Sequence, residues 1–278
     1  MGSASCRNRQ RATNSSPAKS RRSLDITATR TPSARALSLS LPITAGNGEH
    51  RGDAVANYFE NLLPDSTRIR NRLRSRFRTR SIAAFDLLTA IGRDCVGAVQ
   101  LLPEGQEPRE WNRVESEPLD EEQIERILMA ATSDAPLGQR NEDDDFRIPI
   151  AGAQEKTALV RCGGVWERPH GATPTTHIRE LPLGMVGNMR ADLSGSVENG
   201  GLCARILREL ALPVAATEMA TFGAPRALVV ERFDRRWQGI PRGAQDEVGF
   251  VPTDRTWIAR LPQEDLSLIH ISEPTRPY

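Results

Sequence analysis

Residues 146–159 read FRIPIAGAQEKTAL, and the interpretation of the chain turns on them. Apolar residues alternate from Phe146 to Ile150, and Thr157 to Val160 are β-prone, so the pattern predicts strand, turn, strand. Ala151, Gly152 and Ala153 are small enough to let backbone N–H groups approach a phosphate, and Lys156 adds a point charge. Taken alone, an ordinary hairpin with a small-residue turn explains the same residues, because Gly152 is the only glycine and the Walker spacing is missing.

The rest of the composition narrows the setting. No run approaches the roughly 18 apolar residues of a membrane span, and the N-terminus lacks the apolar core of a signal peptide, so a cytoplasmic protein is expected. Cys6, Cys95, Cys162 and Cys203 are scattered without pairing or metal-ligand spacing and read as free thiols, and His50, His170, His177 and His270 form no ligand cluster. Charge is unevenly placed. Residues 1–80 hold 16 basic and 5 acidic residues, leaving 21 and 31 for the remainder, so the front is expected to face something anionic or the acidic rest of its own assembly. Only Lys19 and Lys156 are lysine, which favours a purpose for Lys156 beside the small-residue turn.

From the front, residues 1–31 are rich in Arg, Ser and Thr without periodicity and are expected to lack regular structure. Asp53 is placed to cap a helix carrying Val55, Phe59, Leu62 and Leu63. From Ser66 to Arg80 arginine recurs at every second position, but Ile69, Leu73 and Phe77 are spaced by four, so a helix with a narrow apolar seam is predicted. Helix is predicted again over 83–91 with Gly92 as C-cap, strand near Val96 to Leu102, and helix from Asp120. The acidic run Glu142 to Asp145 then serves as a boundary.

Beyond the turn, Gly163 and Gly164 predict a hairpin between Leu159–Arg161 and Val165–Arg168. Strand is expected at Thr175–Leu181, Val214–Phe222 and Arg226–Arg232. A helix capped by Ser194 is expected to turn Val197, Leu202, Ile206 and Leu210 inward, weakened by Gly200 and Gly201 at roughly 1 kcal/mol each. Residues 237–257 are expected to form a mobile loop.

Seven segments taken together resemble the HipA-type serine/threonine kinases, the toxin half of bacterial toxin–antitoxin pairs. Besides the turn they are ALSLSLP from Ala36, YFENLLPD from Tyr58, FDLLTAIGRDCVGAVQL from Phe85, TPTTHI from Thr173, RALVVERFDRRW from Arg226 and RLPQED from Arg260. The resemblance implies an α+β fold, with an N-terminal α/β subdomain over 33–145 and the small lobe of a kinase-like fold over 146–265. Residues 1–32 then read as a disordered or frameshifted tail, with a genuine basic tail as the alternative. The string LSLIHISEPTR from Leu266 matches a translated sequencing adapter, so 266–278 is expected to be foreign to the family and the larger lobe to be absent; an ordinary C-terminal tail is the alternative.

For chemistry, the resemblance implies ATP and Mg2+ as cofactors. It assigns the phosphate loop to Ala151, Gly152, Ala153, Gln154, Glu155 and Lys156, and the adenine-binding connection to Glu231, Arg232 and Phe233, with the aromatic ring packed nearby. Two positions depart. Glu180 stands where the family has its phosphate-pairing lysine, and Arg179 cannot substitute because successive strand side chains point to opposite faces. Pro149 stands at the family's autophosphorylated serine, so the switch that ejects the loop is not expected to operate. The catalytic and metal-binding residues of the family would follow RLPQED, so this chain is expected to be inactive. The intact protein would phosphorylate a protein serine, by resemblance on an aminoacyl-tRNA synthetase. Its implied partner is a HipB-like DNA-binding antitoxin that brings DNA indirectly, with no membrane involved. A non-catalytic antitoxin-binding protein and a basic nucleic-acid-binding module stay open as alternatives.

Overall fold

The computed structural model describes residues 5–7, 25–27, 36–39, 41–42, 49–102, 111–132, 154–186 and 191–263. Pro149, the strand expected at Phe146 to Ile150, the turn residues Ala151 to Ala153, the run Glu142 to Asp145 and the tail 266–278 lie outside them. At the front, Ser5–Arg7 (β1), Asp25–Thr27 (β2) and Glu49–His50 (β3) pair antiparallel in the order β1-β2-β3. The expectation of no regular structure over 1–31 is corrected at those two strands, where backbone ladder bonds form without an apolar pattern to announce them.

Helices α1 (Asp53–Glu60), α2 (Thr67–Phe77) and α3 (Ala84–Ile91) follow. They bury Val55, Phe59, Leu63, Leu87, Leu88 and Ile91 in one apolar cluster, with Leu73 and Phe77 of the α2 seam packed against it. Each such side chain contributes roughly 1.5–3 kcal/mol on burial, enough to hold helices too short to stand alone. The Ser66 hydroxyl accepts from the Ile69 N–H at 3.4 Å and caps α2. Asp53 is not a cap: Gly52 occupies that position without a side-chain bond, and Asp53 lies in the first turn, where its charge meets the helix dipole. Gly92 ends α3 with φ −80° and continues into a 3₁₀ turn, Gly92–Asp94. The strand expected at 96–102 does not form. Gly97 instead donates its N–H to Asp234 at 2.7 Å and offers its carbonyl to Arg235 at 2.9 Å, so the backbone there serves side chains of a distant segment.

The remainder is built on a sheet. Ser116–Pro118 (β4) precedes α4 (Glu121–Thr132), which is started by a reciprocal pair: the Gln123 N–H donates to the Asp120 carboxylate at 2.7 Å and the Asp120 N–H to the Gln123 amide oxygen at 2.8 Å. Then come Lys156–Cys162 (β5), Val165–Pro169 (β6), His177–Glu180 (β7), the small hairpin Gly184–Val186 (β8) and Ala191–Leu193 (β9), α5 (Ser196–Glu209), Thr217–Thr221 (β10) and Arg226–Glu231 (β11). The six-stranded sheet has the order β10-β11-β7-β5-β6-β4, antiparallel at every pairing. The β5–β6 turn is the expected one, with Gly163 and Gly164 at φ 58° and 81°, the signs a two-residue hairpin turn requires.

One face of this sheet is covered by α4, whose Ile124 and Leu128 pack with Leu159, Phe222, Ala227 and Val229. The other carries α5, and its two glycines have a packing reason. A Cβ on Gly200 would come within 2.9 Å of Leu228 Cδ2, and one on Gly201 within 3.3 Å of the Met219 sulfur. Their cost to helix propensity is therefore what lets α5 approach β10 and β11. Two expectations for α5 are corrected. Its cap position is Gly195, without a side-chain bond, instead of Ser194. Leu202, Ile206 and Leu210 point outward, 57%, 49% and 64% exposed, because the close glycine contact turns the Val197 and Ala204 side of the helix to the sheet. The loop expected at 237–257 joins Arg235–Gln238 (β12) to Trp257–Arg260 (β13), which pair with each other. It is tied down: Gly163 N–H donates to the Gln245 carbonyl at 2.8 Å, and Phe250 meets Trp237 edge to face at 5.8 Å.

Candidate functional site: a nucleotide end and a buried charge knot

The antiparallel register of β5 and β7 sets Lys156 directly opposite Glu180. Their side chains pair at 2.8 Å and are only 15% and 22% exposed, so the lysine expected to meet a phosphate is already neutralised by the residue at the departing position. Glu155 is engaged by Arg72 and by Arg68 of α2, the latter at 3.6 Å, while the Leu181 N–H donates to its carbonyl at 3.0 Å. The Gln154 amide donates to Ser196 Oγ at 3.4 Å, and the same hydroxyl accepts the Leu183 N–H at 3.0 Å. Gln154, Glu155, Lys156 and Glu180 are thus brought together by β5, β7 and the first turn of α5.

Glu231, Arg232 and Phe233 lie elsewhere on the ladder. Glu231 faces His177 across β11 and β7, three residues from the Leu228–Glu180 pairing. At about 3.4 Å per residue the two ends are roughly 10 Å apart, a span an extended nucleotide could bridge. The chemistry fits less well. The N–H groups of Glu231 and Arg232 are spent on the Ala216 and Thr176 carbonyls at 2.9 and 2.8 Å. Phe233, the ring expected beside the base, is 71% exposed. With the lysine paired to a carboxylate and these amides committed, the described residues at this end of the sheet do not by themselves fit a nucleoside triphosphate and Mg2+.

On the opposite side of β7, Arg179 is fully buried, its guanidinium 3.8 Å from the Trp166 ring centroid and 5.1 Å from that of Phe222. None of its three nitrogens has a hydrogen-bond partner. Burial, followed by the charge of Arg161, lowers its proton affinity. The neighbouring His177 is likewise pushed down, to about 3, by burial and then by Arg179 and Arg161, so it is neutral at ordinary pH.

A second constellation was not anticipated. Arg232 pairs with Asp94 at 3.2 Å and Asp234 at 2.8 Å; Arg235 pairs with the same two at 3.0 and 2.9 Å; Arg260 reaches Asp94 at 3.3 Å. Thr175 donates both its N–H and its hydroxyl to Asp94, at 2.9 and 2.7 Å. Burial alone would raise the Asp94 carboxyl, but Arg235, Arg232, Arg260 and the Thr175 N–H outweigh it and hold it well below the usual carboxylate range. The adjoining Cys95 thiol, buried beside that carboxylate, is pushed up to about 12 and stays protonated. Arg232, expected at an adenine edge, therefore spends its side chain joining the helical part to the sheet. The signal was present in the sequence, because GRD, TPTT, ERFDRR and ARLP each supply a member, but nothing in their spacing says they converge.

Two family models match the chain, that of the HipA N-terminal domain over residues 18–102 and that of the HipA-like C-terminal domain over residues 148–278. The chain belongs to the HipA family. Among HipA relatives, the serine/threonine-protein kinase toxin HipA of Shewanella oneidensis is 28% identical over 200 residues, covering 72% of this chain and 42% of that protein. The candidate kinase Y4mE of Sinorhizobium fredii is 37% identical over 154 residues, covering 54% and 34%. The fold is similar to that solved for the Shewanella oneidensis HipA, HipB and operator DNA complex, with a TM-score of 0.56 at 25% identity, covering 85% of this chain and 48% of the solved one. The chain thus spans less than half the length of each of these proteins.

Proposed function

We propose that this chain is the front portion of a HipA-type toxin, with the six-stranded sheet and α5 as the small lobe of a kinase-like fold. The intact protein transfers phosphate from ATP to a protein serine, on an aminoacyl-tRNA synthetase if it follows the family resemblance. It works in the cytoplasm and is held by a HipB-like antitoxin that carries it to DNA. The observation that supports the reading is the shared ladder β5–β7–β11, on which Lys156 and Glu231 lie a nucleotide's length apart. The Lys156–Glu180 pair favours a further statement, that these 278 residues bind no ATP and serve as an antitoxin-binding body.

A unit charge about 4 Å from a phosphate contributes roughly 4 kcal/mol at an effective dielectric near 20, so a carboxylate at position 180 reverses an attraction of that order. Three proteins test the proposal by ATP-dependent phosphorylation of the substrate protein: the chain itself, the chain continued to the length of its relatives, and the continued chain with Glu180→Lys. The first is expected to be inert, the second slow and the third at least tenfold faster, about 1.4 kcal/mol. Phosphorylation by the first, or equal rates for the other two, would contradict it.

A further inference from the structure

We infer that the outer face of α2 is a contact surface for the phosphate backbone of duplex DNA, made directly by this chain and independently of any nucleotide chemistry. The seven arginines from Arg68 to Arg80 are not equivalent in the fold. Arg70 pairs with Glu60 at 2.6 Å and hydrogen-bonds to the Pro64 carbonyl, Arg72 is held by Glu155, and Arg76 lies over the Phe77 ring at 5.6 Å. Arg74, Arg78 and Arg80 are exposed, and their side chains enter no ion pair or hydrogen bond among the described residues. The helix thus sorts its charges: those near the seam are consumed internally, and those at its C-terminal end are left for solvent or a ligand.

The geometry and chemistry of that end suit phosphates. Arg74 lies in the last turn of α2, Arg78 is its left-handed cap and Arg80 follows two residues on, so three charges gather at one end of the helix. Duplex DNA presents a phosphate every 3.4 Å or so along each strand, dense enough to meet several of them at once. Besides Arg74 and the Glu155-paired Arg68, the exposed positions of the same helix are Thr67, Asn71 and Ser75, short hydroxyl and amide donors of the kind that reach phosphate oxygens. The apolar residues of α2 are turned inward, with Ile69 buried and Leu73 and Phe77 packed on the core, so this face lacks the apolar centre a protein partner would need. The face also belongs to the part of the chain with 16 basic and 5 acidic residues, so the surrounding field reinforces it. The macrodipole of α2 accounts for basic residues in its last turn, but Arg80 lies beyond it.

The test is fluorescence anisotropy of the full 278-residue chain with a labelled duplex of arbitrary sequence, titrated between low and physiological salt. Three phosphate contacts contribute a slope of about −2.7 in log K against log salt, at 0.9 per phosphate, or roughly 40-fold in affinity over a fourfold salt range. The combined variant Arg74→Gln, Arg78→Asn, Arg80→Gln is expected to lose that part of the slope while keeping its thermal melt; Asn at 78 suits the left-handed φ of 51°. Arg205→Gln with Arg208→Gln and Arg242→Gln removes the same charge from exposed positions elsewhere and is expected to leave the slope unchanged. An unchanged slope in the α2 variant, or an equal drop in both variants, overturns the assignment. So does polyglutamate competing as well as DNA and losing the same contacts in the α2 variant, which would make the face a dock for an acidic protein.

Discussion

Replacing Asp94 with Asn should cost the protein more than any other isosteric change, and the reason lies in the charge count of its surroundings. Asp94 and Asp234 are enclosed with Arg232, Arg235 and Arg260, three cations against two anions, and both carboxylates are almost fully buried. Asn at 94 leaves three buried guanidinium groups facing one carboxylate. Breaking a buried pair in this way costs about 3–5 kcal/mol. At roughly 2–3 °C per kcal/mol for a chain of this size, the melting temperature should fall by about 6–15 °C. Arg260→Met is the matched opposite, since it leaves two cations on two anions, and it should stay within about 1 kcal/mol of the parent.

The pH dependence supplies a second check. The carboxyl of Asp94 is depressed in the folded state, so its contribution is complete above the unfolded carboxylate value near 3.9 and is lost as pH falls below it. The gap between the parent and Asp94→Asn should therefore narrow by on the order of 1 kcal/mol between pH 5 and pH 3. Differential scanning calorimetry at both pH values measures all of this. A melting temperature for Asp94→Asn within a degree or two of the parent, or equal losses for it and Arg260→Met, would refute the reasoning.

Other outcomes follow from single sites. His177 is neutral in the fold with its proton affinity lowered to about 3, so the unfolded chain binds the extra proton below its ordinary value near 6.5; stability should drop by on the order of 2 kcal/mol between pH 6.5 and pH 5, and His177→Gln should remove that drop in urea titrations. Arg179→Met should hold or raise the urea midpoint, because it exchanges three unpartnered buried nitrogens for an apolar chain that keeps the Trp166 and Phe222 contacts; a large loss would mean that the ring contacts outweigh the buried charge. Gly200→Val should lower stability by roughly 1–3 kcal/mol through overpacking against Leu228, although Val is the better helix former, and a raised midpoint would show that α5 can move off the sheet.

The parts of the fold that could be read beforehand are those governed by local rules. The α2 seam, the Gly163–Gly164 hairpin and the start of α4 each follow from spacing or capping within a few residues. What could not be read depends on partners far along the chain. Residues 96–102 look β-prone, yet their backbone is claimed by Asp234 and Arg235. Leu202, Ile206 and Leu210 carry a helical apolar pattern that names a face without saying whether anything covers it, and the close approach at Gly200 and Gly201 turns that face outward. At the candidate site, the alternation of strand side chains was enough to send Arg179 away from Glu180. That Glu180 would meet Lys156 required the β5–β7 register, which only the assembled sheet defines.

The charge knot also sets a timetable. Arg260 is bonded to a carboxylate 166 positions earlier in the chain, and Arg235 to the same group across 141. Contacts of such sequence separation form late and slowly. A ribosome adding about 5–20 residues per second needs on the order of ten seconds or more to pass from Asp94 to Arg260. For most of that interval, until Arg232 and Arg235 emerge 138 and 141 positions after Asp94, the carboxylate has none of the three guanidinium groups that receive it in the fold, a window in which a chaperone, or any early-arriving cationic partner, can act as the stand-in.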